Sequence, residues 1–139
     1  MAIENKFKKI IASGKRKASV ARAVIVFGNG KVTVNKKNYL NLHLFDKLRI
    51  SEPIEIAKHV LGKLEFDCAI NIRGGGDKGQ IDAARLALAK AILEFTGSQE
   101  LKEAYLKYDR NLLVADVRRK EAYKPGDSKA RSKRQSSKR

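Results

Sequence analysis

Cysteine is almost absent from this chain: Cys68 is the only one in 139 residues, so neither an internal disulfide nor a zinc site built on cysteines can form. Such usage agrees with a reducing compartment. Long apolar runs are missing as well. Stretches such as 24–27 and 112–115 are only a few residues long, far from the roughly 20 that a membrane-spanning helix needs. Near the start, the short patch 10–12 runs into Ser-Gly-Lys-Arg-Lys rather than a signal-peptide core and cleavage pattern, so the protein is expected to stay inside the cell. His43 and His59 are not at ligand spacing and have no cysteine or carboxylate cluster beside them. The acids look scattered, without a pair that position alone brings together, and Cys68 falls on an apolar strand face as an inert small hydrophobe. The reading is no catalysis, no cofactor and no metal.

Carboxylates are in short supply, 15 against 31 Lys and Arg, for a formal net charge of +16. Half of that excess sits in residues 118–139, where ten basic residues face two acids, Glu121 and Asp127, and there is no Val, Ile, Leu or Phe. A segment of that composition cannot bury enough apolar surface to offset the entropy of ordering it, so alone in water it is expected to be disordered. The other 117 residues carry the remaining +8, which calls for a large anionic partner surface. Nucleic acid fits best, because a line of phosphates rewards many dispersed cations through counterion release. The competing reading is a solvated tail that aids solubility or acts as a transport signal. Tyr123 is the only aromatic residue of the tail, so charge contacts to a backbone, rather than base stacking, must carry its binding.

Residues 1–14 read as a basic arm. Small and β-branched residues over 18–27 read as a strand, Gly28-Asn29-Gly30 as a turn tolerant of positive φ, and Val32 and Val34 as the returning strand of a hairpin. Residues 38–45 read as a short helical turn. Ser51 is placed to cap a helix with Pro53 in its first turn, Ile54, Ala57 and Leu61 at helical spacing, and Gly62 at its end. Leu64, Phe66, Cys68, Ile70 and Ile72 alternate with Glu65, Asp67, Ala69, Asn71 and Arg73, the pattern of a strand buried on one face. The strongest helix spans about 80–95, with Ile81, Ala84, Leu88, Ala91, Ile92 and Phe95 in one apolar stripe and Gly97 as its stop. Ser98 can cap another, through about residue 108. The fold class is therefore α+β: a small sheet with helices packed on one face, formed by residues 15–117 between the arm and the tail 118–139. The polar sheet face is left for RNA or solvent.

Gly74-Gly75-Gly76-Asp77-Lys78-Gly79 matches GxGxxG after a strand and before a helix, the context of a dinucleotide site. Against that, the second face of the strand is largely polar, and no parallel strand follows the helix. The P-loop pattern GxxxxGK[ST] does not occur. Gly76-Asp77-Lys78-Gly79 also matches the GXXG clamp of a KH domain, but that clamp joins two helices. Two compatible readings remain. Glycines at a helix N-terminus, with Lys78 beside them, let phosphates approach closely, or they merely permit the tight turn.

Gly14-Lys15-Arg16-Lys17-Ala18, Gly28-Asn29-Gly30-Lys31-Val32 with Val34-Asn35, Gly74-Gly75-Gly76 followed by Gly79-Gln80 and Arg85, and Lys129-Ala130-Arg131 to Ser137-Lys138-Arg139 together resemble ribosomal protein nine of the small subunit. The similarity runs in order over essentially the whole chain. Tyr108-Asp109-Arg110, residues 112–116 and Arg118-Arg119 look like the archaeal and eukaryotic branch, and the compact length leans archaeal. Val117 stands where relatives of that branch often have Pro, and 136–139 lack the aromatic residue that many place near the end. The resemblance implies the fold of the second domain of small-subunit ribosomal protein five, with a left-handed βαβ crossover. It also implies three partners: rRNA of the subunit head, tRNA in the peptidyl site, and neighbouring small-subunit proteins. The rRNA contacts are expected from Lys15, Arg16, Lys17 and Arg22 early in the chain, and from Arg73, Gly74, Gly75, Gly76, Lys78, Gln80 and Arg85 around the glycine turn. Later in the chain they are expected from Arg110, Arg118, Arg119 and Lys120, then Lys129, Arg131, Lys133 and Arg134. Lys138 and Arg139 match the end that faces the anticodon stem-loop. The alternative is a freestanding nucleic-acid-binding protein.

Overall fold

The computed structural model describes residues 8–126 and 128–133. Residues 1–7 of the expected arm, with Arg134, Lys138 and Arg139 of the tail, lie outside the described residues. Residues 10–14 of the expected arm are strand instead: β1 (Ile10–Arg16) pairs antiparallel with β2 (Ser19–Phe27) in the register Gly14↔Ala21 and Arg16↔Ser19. The turn between them is Lys17-Ala18, with Lys17 at a φ of 52°.

The hairpin expected across Gly28-Asn29-Gly30 does not form. β5 (Phe66–Arg73) lies between β2 and β3 (Val32–Val34), antiparallel to the first and parallel to the second, so that Ala23 and Val34 flank Ile70. With β4 at Lys37–Asn38, the sheet order is β1-β2-β5-β3-β4. The glycine turn instead carries the chain past the start of β5, across two strand spacings of about 10 Å. Asp67 fixes it there: one carboxylate oxygen accepts from the N–H groups of Asn29 and Lys31, both at 2.9 Å. The hairpin on this side joins β3 to β4 (Lys37–Asn38) through Asn35 and Lys36, both at positive φ, as a mirror-image two-residue turn requires. Where β3 stops, the Asn35 side chain continues the ladder, accepting from Ile72 N–H at 2.9 Å.

A short 3-10 turn (Tyr39–Asn41) occupies part of the expected helical turn, and α1 (Leu44–Leu61) starts well before Ser51. Ser51 is therefore not a cap; its hydroxyl donates to the Lys47 carbonyl at 2.7 Å. Pro53 lies in the helix interior, where it deprives the Arg49 carbonyl of its usual donor. Tertiary packing outweighs that loss: Ile50, Pro53, Ile54 and Ala57 are buried, and the buried Tyr105 hydroxyl donates to the Pro53 carbonyl at 2.9 Å. Gly62 ends the helix as expected.

α2 (Asp77–Thr96) lies across β1, β2 and β5, α1 packs beside it, and α3 (Gln99–Tyr108), capped by Ser98, packs against α1. The expected single stripe understates how deeply α2 sits. Ala83, Leu86, Ala87 and Ala89 are buried along with Ile81, Ala84, Leu88, Ala91 and Ile92. The buried sheet face offers Ala12, Gly14, Ala21, Ala23 and Ile25 with Phe66, Cys68, Ile70 and Ile72. Burial pushes the Cys68 thiol from 9.0 up to about 12, which leaves it inert.

Helix and sheet are closest at Gly14, where a Cβ would lie 2.4 Å from the Ala83 carbonyl oxygen and 2.7 Å from the Ala87 nitrogen. Both are backbone atoms and cannot rotate away. Gly14→Ala is expected to destabilise the fold by about 1–3 kcal/mol in denaturant unfolding. Ser13→Ala, on the open face next door, should stay within about 0.5 kcal/mol; equal stability of the two variants would contradict the close contact.

Candidate nucleic-acid interface

Strand alternation leaves the sheet face opposite the helices open, and the register arranges its side chains in rows. Lys15, Val20 and Arg73 form one row across β1, β2 and β5, and Ser13, Arg22 and Asn71 form the next. Ile11, Val24 and Ala69 make a third, apolar row, which ends in Thr33 on β3. The cations thus gather at the end of the sheet where β5 runs into the glycine turn. No aromatic residue stands in these rows, so this face suits phosphates and ribose hydroxyls rather than stacked bases.

At that end a cleft opens between the β1–β2 turn, the N-terminus of α2 and the chain beyond α3. Lys17, Lys78, Arg118, Arg119 and Lys120 line it, with Gly75, Gly76 and Gly79 as its backbone wall and Asp77 and Asp82 as its acids. Gly74 and Gly75 have φ values of 77° and 67°, in the left-handed region that disfavours side chains. The turn is held from behind. Ser19, fully buried, donates its hydroxyl to the Gly74 carbonyl at 3.1 Å, and the Gln80 side-chain amide donates to the same oxygen at 3.0 Å. A Cβ on Gly75 would strike the Ser19 hydroxyl at 2.0 Å, whereas one on Gly76, the N-cap of α2, would meet nothing within 4 Å. Gly76 is therefore the glycine that faces open space.

Two of the expected phosphate donors face inward instead. Arg85, with a side chain only 14% exposed, pairs with Glu52 of α1 and, through both terminal nitrogens at 3.2 Å, with Asp109. Its contact with Glu52 Oε2 is an ion pair without hydrogen-bond geometry. Arg16 pairs with Asp116 and lies 3.9 Å from Asp82, which also pairs with Arg49. Gln80, bonded to the turn, is likewise engaged. These three side chains shape the interface from within.

Sequence reading missed the carboxylates that make this possible. The acids it took as scattered converge: Glu52, Asp82, Asp109 and Asp116 line one cleft with Arg16, Arg49, Arg85 and Arg118. The one local signal was Asp116-x-Arg118. Asp116 is the hub, since besides Arg16 it accepts from the Arg118 backbone N–H at 2.9 Å and from the Arg118 guanidinium at 2.7–3.1 Å. Arg119 donates to the Asp116 carbonyl at 2.8 Å. The start of the tail is thus tied to β1. Arg110 lies exposed in a second 3-10 turn (Arg110–Leu112), and Lys129, Arg131 and Lys133 are exposed in the tail, with Arg131 paired to Glu121 at 2.8 Å.

Cations arrayed around accessible backbone, on a small α+β scaffold, are the equipment of a structural protein that assembles with nucleic acid. Comparison with known proteins gives the family. The model of ribosomal protein S9/S16 matches residues 14–139. Small ribosomal subunit protein uS9 of Methanococcus vannielii is 45% identical over 133 residues, covering 94% of this chain and 98% of that protein. Its counterpart in Methanothrix thermoacetophila is 41% identical over 134 residues with the same coverage. The chain belongs to the ribosomal protein S9/S16 family and is a structural, non-enzymatic constituent of the small ribosomal subunit, working in the cytoplasmic ribosome in association with rRNA and ribosomal proteins.

The hub makes Asp116 a test of how the tail is launched. Asp116→Ala leaves Arg16 only its long contact to Asp82, and should cost on the order of 1–3 kcal/mol. More diagnostically, amide hydrogen exchange over 110–120 should accelerate several-fold while that of α2 stays protected. Unchanged exchange in that segment would mean the hub does not hold the tail root.

Proposed function

We propose that this chain binds rRNA of the small-subunit head through the glycine-walled cleft and the adjoining basic rows of the open sheet face. Its tail then extends toward the anticodon stem-loop of tRNA in the peptidyl site. The observation that carries the first part is the convergence of Lys17, Lys78 and Arg118–Lys120 on Gly75 and Gly76, bringing cations from three distant stretches of chain to one piece of accessible backbone. The first N–H groups of α2 have no intrahelical acceptor, and the positive end of its dipole favours a phosphate there. Lys15, Arg22 and Arg73 extend the cationic surface along the sheet, while Arg16, Gln80 and Arg85 keep its shape. Lys129, Arg131 and Lys133 continue the charge into the tail.

Gly76→Ala separates this reading from a purely structural turn. The added methyl enters open space at an ordinary φ of −94°, so folding should lose no more than about 1 kcal/mol from the poorer cap. Affinity for small-subunit rRNA, measured by filter binding across a salt series, should fall several-fold. Normal affinity in the folded variant would leave the turn with a structural role alone.

For the tRNA contact, the support is the match of Lys138 and Arg139 to the family's tRNA-facing end. A guanidinium offers several donors in a planar fork that suits a phosphate. Deleting both residues should leave rRNA binding nearly intact, because eight basic tail residues remain. Retention of peptidyl-site tRNA should weaken, by about 1–3 kcal/mol per contact at most. Unchanged tRNA affinity of small subunits carrying the shortened protein would remove this role.

A further inference from the structure

Four large apolar side chains stand exposed around the start of α1. Leu40, Leu44, Phe45 and Leu48 are 51%, 61%, 69% and 53% exposed. Leu44 and Leu48 are one helical turn apart, Phe45 and Leu48 are three residues apart, and Leu40 sits in the 3-10 turn that leads into α1. They therefore share one side of the helix start, opposite the side on which Ile50, Pro53, Ile54 and Ala57 enter the core. Contiguous apolar surface on the order of a few hundred Å² marks an interaction site on a soluble protein.

The charge of the same stretch decides what kind of partner fits. From residue 39 to residue 61 there are three acids, Asp46, Glu52 and Glu55, and three bases, Lys47, Arg49 and Lys58, so this stretch contributes nothing to the chain's +16. Binding to an RNA backbone needs an excess of cations, and a base needs an aromatic face. Here three of the four side chains are aliphatic, and the one ring, Phe45, lies tilted against His43 with centroids 6.0 Å apart. A second copy of this chain is disfavoured because it would bring its own +16. An electroneutral helix with an aliphatic stripe is complementary to a protein surface of the same kind.

We propose that Leu40, Leu44, Phe45 and Leu48 form the docking surface for a neighbouring protein of the small subunit, one that presents an apolar centre with little net charge. The RNA-binding cleft is built from other residues, so the two surfaces act side by side within the particle.

The test places benzoylphenylalanine at position 45 of the full chain, assembles it into small subunits from rRNA and total small-subunit proteins, and identifies the photo-adduct by mass spectrometry. The expected product is an adduct with one ribosomal protein, reduced at least tenfold by a second change, Leu48→Glu. In parallel, Leu48→Glu in the otherwise native chain should keep its melting temperature and its affinity for isolated small-subunit rRNA, yet lose to the native chain at least tenfold in competition for incorporation into particles. An adduct with rRNA, with a second copy or within the same chain, or equal incorporation, would overturn the proposal. Loss of affinity for isolated rRNA in this variant would also overturn it, by placing RNA on the patch, whereas failure of the cleft reading would appear in Gly76→Ala and not here.

Discussion

How closely α2 lies on the sheet governs the rest of the molecule. Small residues on both sides allow it: Gly14, Ala12, Ala21 and Ala23 from the strands, and Ala83, Ala84 and Ala87 from the helix. With only small side chains at the contact around Gly14, the N-terminus of α2 comes directly off the end of β5, and the link is three glycines braced by Ser19 and Gln80. A looser helix would need a longer link, and the backbone that faces the cleft would lose its fixed position. The proposed RNA site is in this sense a by-product of close packing in the core.

The second constraint is electrostatic. A chain with twice as many bases as acids repels itself, and that repulsion works against the compact state until an anion relieves it. The fold deals with this by concentration. Glu52, Asp82, Asp109 and Asp116 sit together in one cleft, where they neutralise arginines that tie α1 to α2, and α2 and the segment after α3 to β1. Other cations stay exposed, among them Lys15, Arg22 and Arg73 on the open sheet face and Lys129, Arg131 and Lys133 in the tail. One set of arginines thus holds the protein together, another set of lysines and arginines is left for its partner, and Arg118, paired to Asp116 yet exposed, belongs to both.

Local periodicity made β5, α2 and α3 legible, because Phe66 to Ile72 alternate strictly and the stripes of Ile81–Ile92 and Leu101–Tyr105 repeat at helical spacing. What failed depended on residues far apart in sequence. Gly28-Asn29-Gly30 looks like a hairpin turn until Asp67, nearly forty residues on, is seen to hold it over β5. Residues 10–14 passed for an arm because the inward positions there are only Ala12 and Gly14, too small to register as a hydrophobic pattern but suited to α2. Ser51 and Pro53 carry the marks of a helix start, yet burial of Ile50 and Ile54 and the Tyr105 hydroxyl keep the helix running through them. In the interface, the basic residues and glycines could be read directly. The inward turn of Arg16 and Arg85 could not, since it is set by acids on other elements.

The two edges of the sheet are unequal, and this bears on the protein's life before it meets the ribosome. β4 is two residues long and carries Lys36 and Lys37 at its turn, so it offers a stray strand almost nothing to pair with. β1 is seven residues long and hydrogen-bonded along one side only. Its outer rim is the one extended template for intermolecular strand addition in the described sheet, and therefore the place where newly made, unassembled chains are most exposed to aggregation. Lys8, Lys9, Lys15 and Lys17 flank that rim and make two such edges repel. The basic residues that begin the chain's globular part thus guard an open sheet edge.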